Sequence, residues 1–202
     1  VVLDQCSPSV RPLCDRFYSG DYEDGMIVNR EEAGKLVDEN ALLVIVDVNK
    51  ADYTECPELV EQAQSVVVID HHRQAGDAIS QAVLFYIEPY ASSASEMVSE
   101  ISQYIGNGLK LKPAEAEALY AGIMIDTNNF TDKTGVRTFE AAAFLRRCGA
   151  DVTRVRKMLR DNIDSYKARA EAVRTAEIYR DYFAIARCPS EGLESPTVVG
   201  AQ

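Results

Sequence analysis

The amino-acid sequence predicts an α/β domain with a mainly parallel sheet flanked by helices, followed by a linker helix and a truncated second domain. Two short apolar runs rich in β-branched residues, 42–46 and 66–69, are typical of parallel strands that are covered on both faces. Helical patterns lie before, between and after these runs, and alternation of strands with helices is the pattern of a parallel sheet. With 47% hydrophobic and 26% charged residues, the composition is that of a soluble globular protein.

Helix start and stop signals place the elements around these strands. Asn29 is suited to cap a helix that follows it, and Pro57 is suited to the first turn of a helix that reaches Gln64. Further helices are predicted after the second strand, from Ser92 to about residue 105, from Pro113 onward, and over 138–147.

The same signals divide the chain into three segments. The main domain is predicted to cover residues 1–151, and residues 1–4 resemble the end of a buried strand, so we expect the chain to be a piece of a longer protein. Residues 152–182 are charged, helix-prone and free of Gly and Pro, which predicts a linker helix. A strand beginning at Phe183 is expected to open a second domain over 183–202.

The charge of the chain limits the ligands that it is expected to bind. The net charge is −11 and the pI is about 4.7. Long nucleic acids are bound through basic patches, so the sequence argues against such a partner. A small nucleotide fits better, since acidic clusters bind divalent cations that can bring a phosphate into a negatively charged site.

The cysteines and the hydropathy pattern indicate the compartment. The five cysteines lie far apart and form no CxxC pair, which argues against a zinc ribbon or a disulfide framework and favours a reducing cytoplasm. No apolar run reaches the roughly 18–20 residues that a transmembrane helix needs. We therefore expect no membrane contact within this segment.

Carboxylates follow the apolar runs where strands are expected to end. Asp47 follows the first predicted strand, Asp70 follows the second, and Asp126 ends a third apolar run in the same way. Ligands of open parallel sheets bind beyond the carboxyl ends of the strands, so we expect these groups to meet. The only two histidines, His71 and His72, come directly after Asp70. Asp and His ligands without thiolates predict a site for Mn²⁺, Mg²⁺ or a similar ion.

Such a site would suit the hydrolysis of a phosphodiester. Two ions about 3.5–4 Å apart would share one bridging carboxylate and activate a water. The serines of 92–95 stand at a predicted helix start, where hydroxyl and backbone N–H groups suit a phosphate. A plain helix cap is an equally good interpretation of these serines.

Three motifs in a fixed order carry a resemblance to a known family. They are Val46-Asp47-Val48-Asn49-Lys50, then Asp70-His71-His72, then Asp126-Thr127-Asn128-Asn129-Phe130. In this combination the chain resembles the DHH phosphoesterases, which include nucleases, manganese pyrophosphatases and small-nucleotide phosphodiesterases. The segments 88–96, 133–142 and 164–169 are most similar to the bacterial cyclic-di-AMP phosphodiesterases.

The resemblance implies an activity and a set of residue roles. The activity is hydrolysis of cyclic-di-AMP to the linear dinucleotide by a two-metal mechanism that uses Mn²⁺. Asp47 is implied to bridge the two ions, and His71 and Asp126 to complete the shell of the second ion. His72 is implied to face the scissile phosphate, and Asp70 to orient the histidines.

The resemblance also implies substrate contacts and missing parts. Arg137 is implied to bind a substrate phosphate together with Ser92 and Ser93, although an exposed arginine is as often solvated. The first metal motif of the family, HxxxDxD, is expected before residue 1, and the substrate motif of the companion domain after Gln202. We therefore expect the longer parent protein to be an enzyme and this fragment alone to be inactive. The parent is expected to be anchored to the cell membrane with this part in the cytoplasm, and a homodimer is a further expected assembly.

Two alternatives stay open at this point. The first is a DHH nuclease that acts on short linear oligonucleotides, because the acidic charge disfavours long strands but not a few nucleotides. The second is a non-catalytic nucleotide-binding module that lacks the first metal motif.

Overall fold

The computed structural model describes residues 1–7, 10–18, 22, 25–74, 76–106, 109–160 and 163–187. The chain divides into two compact units, Val1–Leu159 and Arg160–Gln202. Residues 188–202 of the predicted second domain lie outside the described residues. Within the described ranges, no helix combines the length and apolarity that crossing a bilayer requires.

The elements alternate along the first unit as expected for an α/β fold. In chain order they are α1 (Arg11–Tyr18), α2 (Arg30–Leu36), β1 (Leu42–Val46), α3 (Pro57–Gln62), β2 (Ser65–Asp70), β3 (Leu84–Ile87), α4 (Ala94–Ser102), α5 (Pro113–Asp126), α6 (Val136–Arg147) and α7 (Val152–Met158). A short 3-10 turn, Ala51–Tyr53, lies between β1 and α3. The second unit contains α8 (Ile163–Arg174) and the antiparallel strands β4 (Glu177–Tyr179) and β5 (Phe183–Ile185).

The three strands of the first unit form a parallel sheet in the order β1-β2-β3. Val46 of β1 pairs with Ile69 of β2, and Asp70 pairs with Ile87 of β3. The carboxyl ends of all three strands therefore lie at one edge of the sheet. This sheet and its helices confirm the predicted fold class, although β3 itself was not predicted.

The two faces of the sheet differ in burial. Val66 and Val68 of β2 are fully buried and pack with Ile45 in one core cluster. On the opposite face of β1, Leu42 is 58% and Val44 is 49% exposed. The prediction that 42–46 is covered on both faces is therefore wrong, because an apolar run does not tell how many layers pack against an outer strand.

The predicted helix starts use the expected capping chemistry. The side chain of Asn29 accepts a hydrogen bond from Glu32 N over 2.9 Å, and the Glu32 carboxylate accepts one from Asn29 N over 3.0 Å. Pro57 and Pro113 begin α3 and α5, where their missing N–H group costs nothing.

The first residues of the chain form less structure than expected. Val2 pairs with Val28 in a single parallel bridge, supported by hydrogen bonds of 2.9 Å from Leu3 N to Val28 O and from Val28 N to Val1 O. The side chain of Asp4 accepts a further hydrogen bond of 2.7 Å from Arg30 N. The segment 1–7 is thus held by backbone hydrogen bonds to Val28 and by the side chain of Asp4 on Arg30, rather than by a full strand.

The helices after the sheet share a second core and correct the predicted linker. Ile123 of α5, Leu145 of α6 and Val155 of α7 are fully buried in one cluster. Since Val155 packs there, α7 belongs to the first unit, and 152–182 is not one linker helix. The chain leaves this unit after Leu159, and the rest of that segment supplies α8 and β4.

A buried carboxylate joins three of these helices. Glu117 of α5 is fully buried, and its Oε2 lies 2.9 Å from a guanidinium nitrogen of Arg16 on α1. Its Oε1 accepts a hydrogen bond of 2.8 Å from Arg154 on α7. A buried charge persists only when it is paired, so this cluster fixes the positions of α1, α5 and α7 relative to one another.

We expect Glu117→Gln to lower the free energy of unfolding by about 2 kcal/mol, because a neutral amide replaces the buried carboxylate that pairs with both arginines. Urea unfolding followed by circular dichroism measures this loss. Glu140→Gln, an exposed change on α6, is the matched control. Equal unfolding midpoints for the two variants would contradict the bracing role of Glu117.

Candidate metal centre

The strand ends bring the predicted site residues to one edge of the sheet. Asp47 directly follows β1, while Asp70 ends β2 and is followed by His71. Asp126 reaches the same place differently, since it is the last residue of α5 and does not follow a strand. The apolar run before it is the end of the helix that was predicted from Pro113 onward.

The ligand atoms of this cluster are close enough to share one ion. Nε2 of His71 lies 3.3 Å from Oδ1 of Asp47 and 3.9 Å from Oδ2 of Asp126. One ligand atom each from Asp47, His71 and His72 lie within 4.8 Å of one another. Carboxylate and imidazole groups at this spacing form the donor set of a divalent cation, so the residues present fit the metal site that the sequence predicts.

The imidazole of His71 is oriented for such a role. Its Nδ1 lies 3.3 Å from the carbonyl oxygen of Ala91 in the loop that follows β3. A carbonyl accepts hydrogen bonds only, so the ring proton belongs on Nδ1 and the lone pair of Nε2 faces the carboxylates. The side chain is 13% exposed, which limits its movement.

Asp70 organises the neighbouring histidine from a buried position. Its Oδ1 accepts hydrogen bonds from His72 Nδ1 over 2.8 Å and from His72 N over 3.1 Å. Its Oδ2 accepts one of 2.7 Å from Nδ2 of Asn49. The bond with Asp70 raises the pKa of His72 above its ordinary value. Asp70 is fully buried and contacts His72, and its predicted role of orienting both histidines stays a prediction.

Asn49 is a site residue to which the sequence analysis assigned no role. It is only 4% exposed and holds one oxygen of Asp70, which leaves the other oxygen for His72. The sequence signal for this role was a polar side chain two positions after Asp47, close to a strand end. A polar side chain that is buried there needs a hydrogen-bond partner.

The carboxylates of the cluster repel one another. Burial raises the pKa of Asp126, and the negative charge of Asp47 raises it further. Two carboxylates held this close are stabilised by a cation between them. This electrostatic pattern is a second observation that fits a metal site.

The backbone at the site adopts unusual conformations. Asp47 has a φ of +69°, in the left-handed region that Asp and Asn tolerate better than other non-glycine residues. Asn128, Asn129 and Phe130, just after Asp126, have φ values of +45°, +58° and +65°. Strained residues of this kind collect at functional sites, where the surrounding structure holds them in place.

The serines that were predicted to bind substrate lie at the start of α4, and Ser93 caps that helix. Ser93 Oγ accepts a hydrogen bond of 3.0 Å from Glu96 N, and Ser92 Oγ donates one to the Glu96 carboxylate. Both serines and Glu96 are buried. The capping interpretation is what the geometry shows, and a substrate role for the serines stays a prediction.

Arg137 lies among carboxylates. Its guanidinium donates to both oxygens of Glu100 over 2.8 and 2.7 Å, and it lies 3.6 Å from Glu88 and 4.0 Å from Glu96. The hydrogen bonds with Glu100 raise the pKa of Arg137, so the group stays charged. Its side chain is 40% exposed, and its predicted contact with a substrate phosphate stays a prediction.

A parallel sheet with an Asp and His cluster beyond its strand ends defines a metal-binding α/β domain. Residues 5–123 match the DHH family, N-terminal domain, and the chain therefore belongs to the DHH family.

Two curated relatives are similar over almost the whole chain. The cyclic-di-AMP phosphodiesterase GdpP of Bacillus subtilis is 40% identical over 191 residues, which are 94% of this chain and 29% of the relative. The cyclic-di-AMP phosphodiesterase PdeA of Listeria monocytogenes is 40% identical over 196 residues, which are 97% and 30%. The chain thus spans less than a third of the length of these relatives.

A solved structure supports the fold. An exopolyphosphatase-related protein from Bacteroides fragilis superposes with a TM-score of 0.66 at 22% identity, covering 75% of this chain and 45% of that protein. At this identity the likeness concerns the fold alone.

Proposed function

We propose that this chain is part of the catalytic region of a metal-dependent phosphodiesterase that hydrolyses cyclic-di-AMP to the linear dinucleotide. The observation that carries the proposal is the cluster of Asp47, His71 and His72 at the carboxyl edge of the sheet. The 40% identity to two cyclic-di-AMP phosphodiesterases over nearly the whole chain supports the choice of substrate.

The ligand chemistry supports Mn²⁺ as the proposed ion. Asp47, His71 and Asp126 would hold it with carboxylate oxygens and one imidazole nitrogen, a donor set that suits Mn²⁺ and contains no thiolate. Asp47 would bridge two ions, a role that rests on the resemblance to the DHH phosphoesterases, and its side chain is 54% exposed. When bound, the ions would supply an activated water and stabilise the leaving oxygen.

His72 is the proposed contact to the scissile phosphate. Asp70 holds its Nδ1, so the opposite ring nitrogen is directed away from the protein core. The hydrogen bond with Asp70 raises the pKa of His72, and in its protonated form the ring would donate a hydrogen bond from that nitrogen. Its side chain is 60% exposed, which leaves it accessible to a substrate.

The remaining parts of the proposal concern the substrate and the longer protein. Arg137 would bind a phosphate by exchanging one of its carboxylate partners, and Ser92 and Ser93 would offer the start of α4. Residues 183–202 would be the start of the companion domain. Membrane attachment of the parent, its cytoplasmic location and homodimer formation rest on the resemblance to the cyclic-di-AMP phosphodiesterases.

The proposal predicts Mn²⁺-dependent turnover of cyclic-di-AMP by the protein that contains this chain, extended at both ends to the length of its relatives. We expect the linear dinucleotide as the product, separated by chromatography, and loss of turnover after chelation of the metal. The same assay with linear dinucleotides and short RNA is the comparison. Turnover of short RNA without cyclic-di-AMP would replace the proposed substrate, and binding of cyclic-di-AMP without turnover would favour a binding module.

A further inference from the structure

Two cysteines outside the metal centre lie in contact. The Sγ of Cys6 donates a hydrogen bond of 3.0 Å to the Sγ of Cys14, eight positions along the chain. A disulfide bond is about 2.05 Å long, so an approach of about 1 Å would form it. We propose that Cys6 and Cys14 are a redox modification site, which closes to a reversible disulfide on reaction with a small-molecule disulfide such as oxidised glutathione.

The two sulfurs belong to pieces of structure that are anchored separately. Cys6 lies in the segment 1–7, which is held on Val28 and on the start of α2. Cys14 lies in α1, where Leu13 packs into the helical core and Arg16 is paired with Glu117. A bond between the sulfurs would join these pieces covalently within one unit of the chain.

The burial of the two thiols defines the order of the chemical steps. Cys14 is buried, whereas Cys6 is partly exposed. Burial raises the pKa of Cys14 to about 11. Cys14 is therefore a thiol at neutral pH, and the sulfur that a small oxidant reaches first is that of Cys6.

The reaction is a double thiol–disulfide exchange. The sulfur of Cys6, after losing its proton, attacks one sulfur of the small disulfide, and the other half leaves as a thiol that takes up a proton. The sulfur of Cys14 then loses its proton and attacks Cys6, so the second half leaves as a thiol. In total the two cysteines are oxidised by two electrons and the small disulfide is reduced to two thiols.

The pair differs from the other cysteines of the described residues. The Sγ of Cys56 donates to the carboxylate of Glu58 over 3.3 Å, so it has an oxygen partner and no sulfur partner in the described structure. In a reducing compartment Cys6 and Cys14 stay thiols, in keeping with the free state of the four cysteines in the part of the chain that the structure describes. The disulfide is therefore conditional on an oxidant.

The test is a redox titration of the whole chain with mixtures of reduced and oxidised glutathione, followed by alkylation under denaturing conditions. We expect two of the five thiols to become protected together as the oxidant increases. Peptide mass mapping should place the link between Cys6 and Cys14. The melting temperature of the oxidised chain should rise by about 5–10 °C, the size expected for a short closed loop.

Variants separate this pair from the other thiols. Cys6→Ser should abolish the protection, and Cys14→Ala should do the same if Cys14→Ser does not fold. Cys56→Ser should leave it intact. The proposal is overturned if all five thiols stay reactive at every ratio, if Cys6 links to another cysteine, or if glutathione stays on Cys6 while Cys14 is still alkylated. The outcome does not depend on the proposed function.

Discussion

Asp47→Asn is expected to weaken Mn²⁺ binding to this chain by more than about 100-fold, since even the loss of a group that only supports a metal ligand costs about 10–100-fold. The same change should leave the fold intact. Asparagine tolerates the left-handed conformation that Asp47 adopts at a φ of +69°, so only the negative charge beside His71 is lost. Isothermal titration with Mn²⁺ and the melting temperature of the metal-free chain measure the two effects separately.

Two further variants make the Asp47 experiment sharper. Asp47→Ala removes the same charge but places a less tolerant residue at positive φ, and should lower the free energy of unfolding by about 1 kcal/mol relative to Asp47→Asn. Asp52→Asn, an exposed change in the turn after β1, should leave metal affinity unchanged. Wild-type affinity in Asp47→Asn would show that this carboxylate is not a ligand.

Asp70→Asn is expected to destabilise the chain by about 2–4 kcal/mol, although the two side chains have almost the same shape. Both oxygens of Asp70 accept hydrogen bonds at a fully buried position. An amide nitrogen in place of one oxygen would face a donor, either on Asn49 or on His72. Urea unfolding of the metal-free chain measures the loss.

The imidazole of His72 gives a second readout for the same variant. Because the hydrogen bond with Asp70 is the largest cause of its raised pKa, the pKa of His72 should fall towards its ordinary value in Asp70→Asn. A proton NMR titration of the two histidines measures this change. A His72 pKa that does not move would contradict the role of Asp70 as the orienting group.

A reciprocal exchange tests whether Asn49 and Asp70 act as a pair. In the double variant Asn49→Asp and Asp70→Asn, the carboxylate at position 49 can accept from the amide at position 70, whose oxygen can still accept from His72 N. We expect the double variant to recover at least half of the stability lost in Asp70→Asn, a non-additive effect typical of residues in one network. The pKa of His72 should stay near its ordinary value, because the negative charge at position 49 does not contact the imidazole. A loss of stability in the double variant equal to the sum of the losses in Asn49→Asp and Asp70→Asn would rule out the pairing.

Sequence patterns predicted the strand-end part of the site well, for a definite physical reason. The runs 42–46 and 66–69 were apolar enough to be assigned as strands, and parallel strands place the residues that follow them at one edge. The meeting of Asp47 with His71 follows from this topology. The positions of α2, α3 and α5 were likewise predictable, because Asn and Pro act at helix starts through local bonds.

Features that depend on contacts distant in sequence were not predictable in the same way. Asp126 follows an apolar run that closes a helix and not a strand, and an apolar run alone does not distinguish the two. The hydrogen bond of Asn49 joins residues 21 positions apart. The break after Leu159 depends on the packing of Val155 against α5 and α6, which local propensity does not report.

The exposed face of β1 affects how the protein behaves in concentrated solution. The outermost strand of the described sheet carries a half-exposed apolar stripe formed by Leu42, Val44 and Val46. An exposed apolar strand at the edge of a sheet tends to pair with other molecules. At neutral pH the net charge of −11 keeps molecules apart. Salt screens that repulsion, and acidification towards the pI of about 4.7 removes it. We therefore expect the colloidal stability of the chain to be electrostatic and to fall under mildly acidic or high-salt conditions.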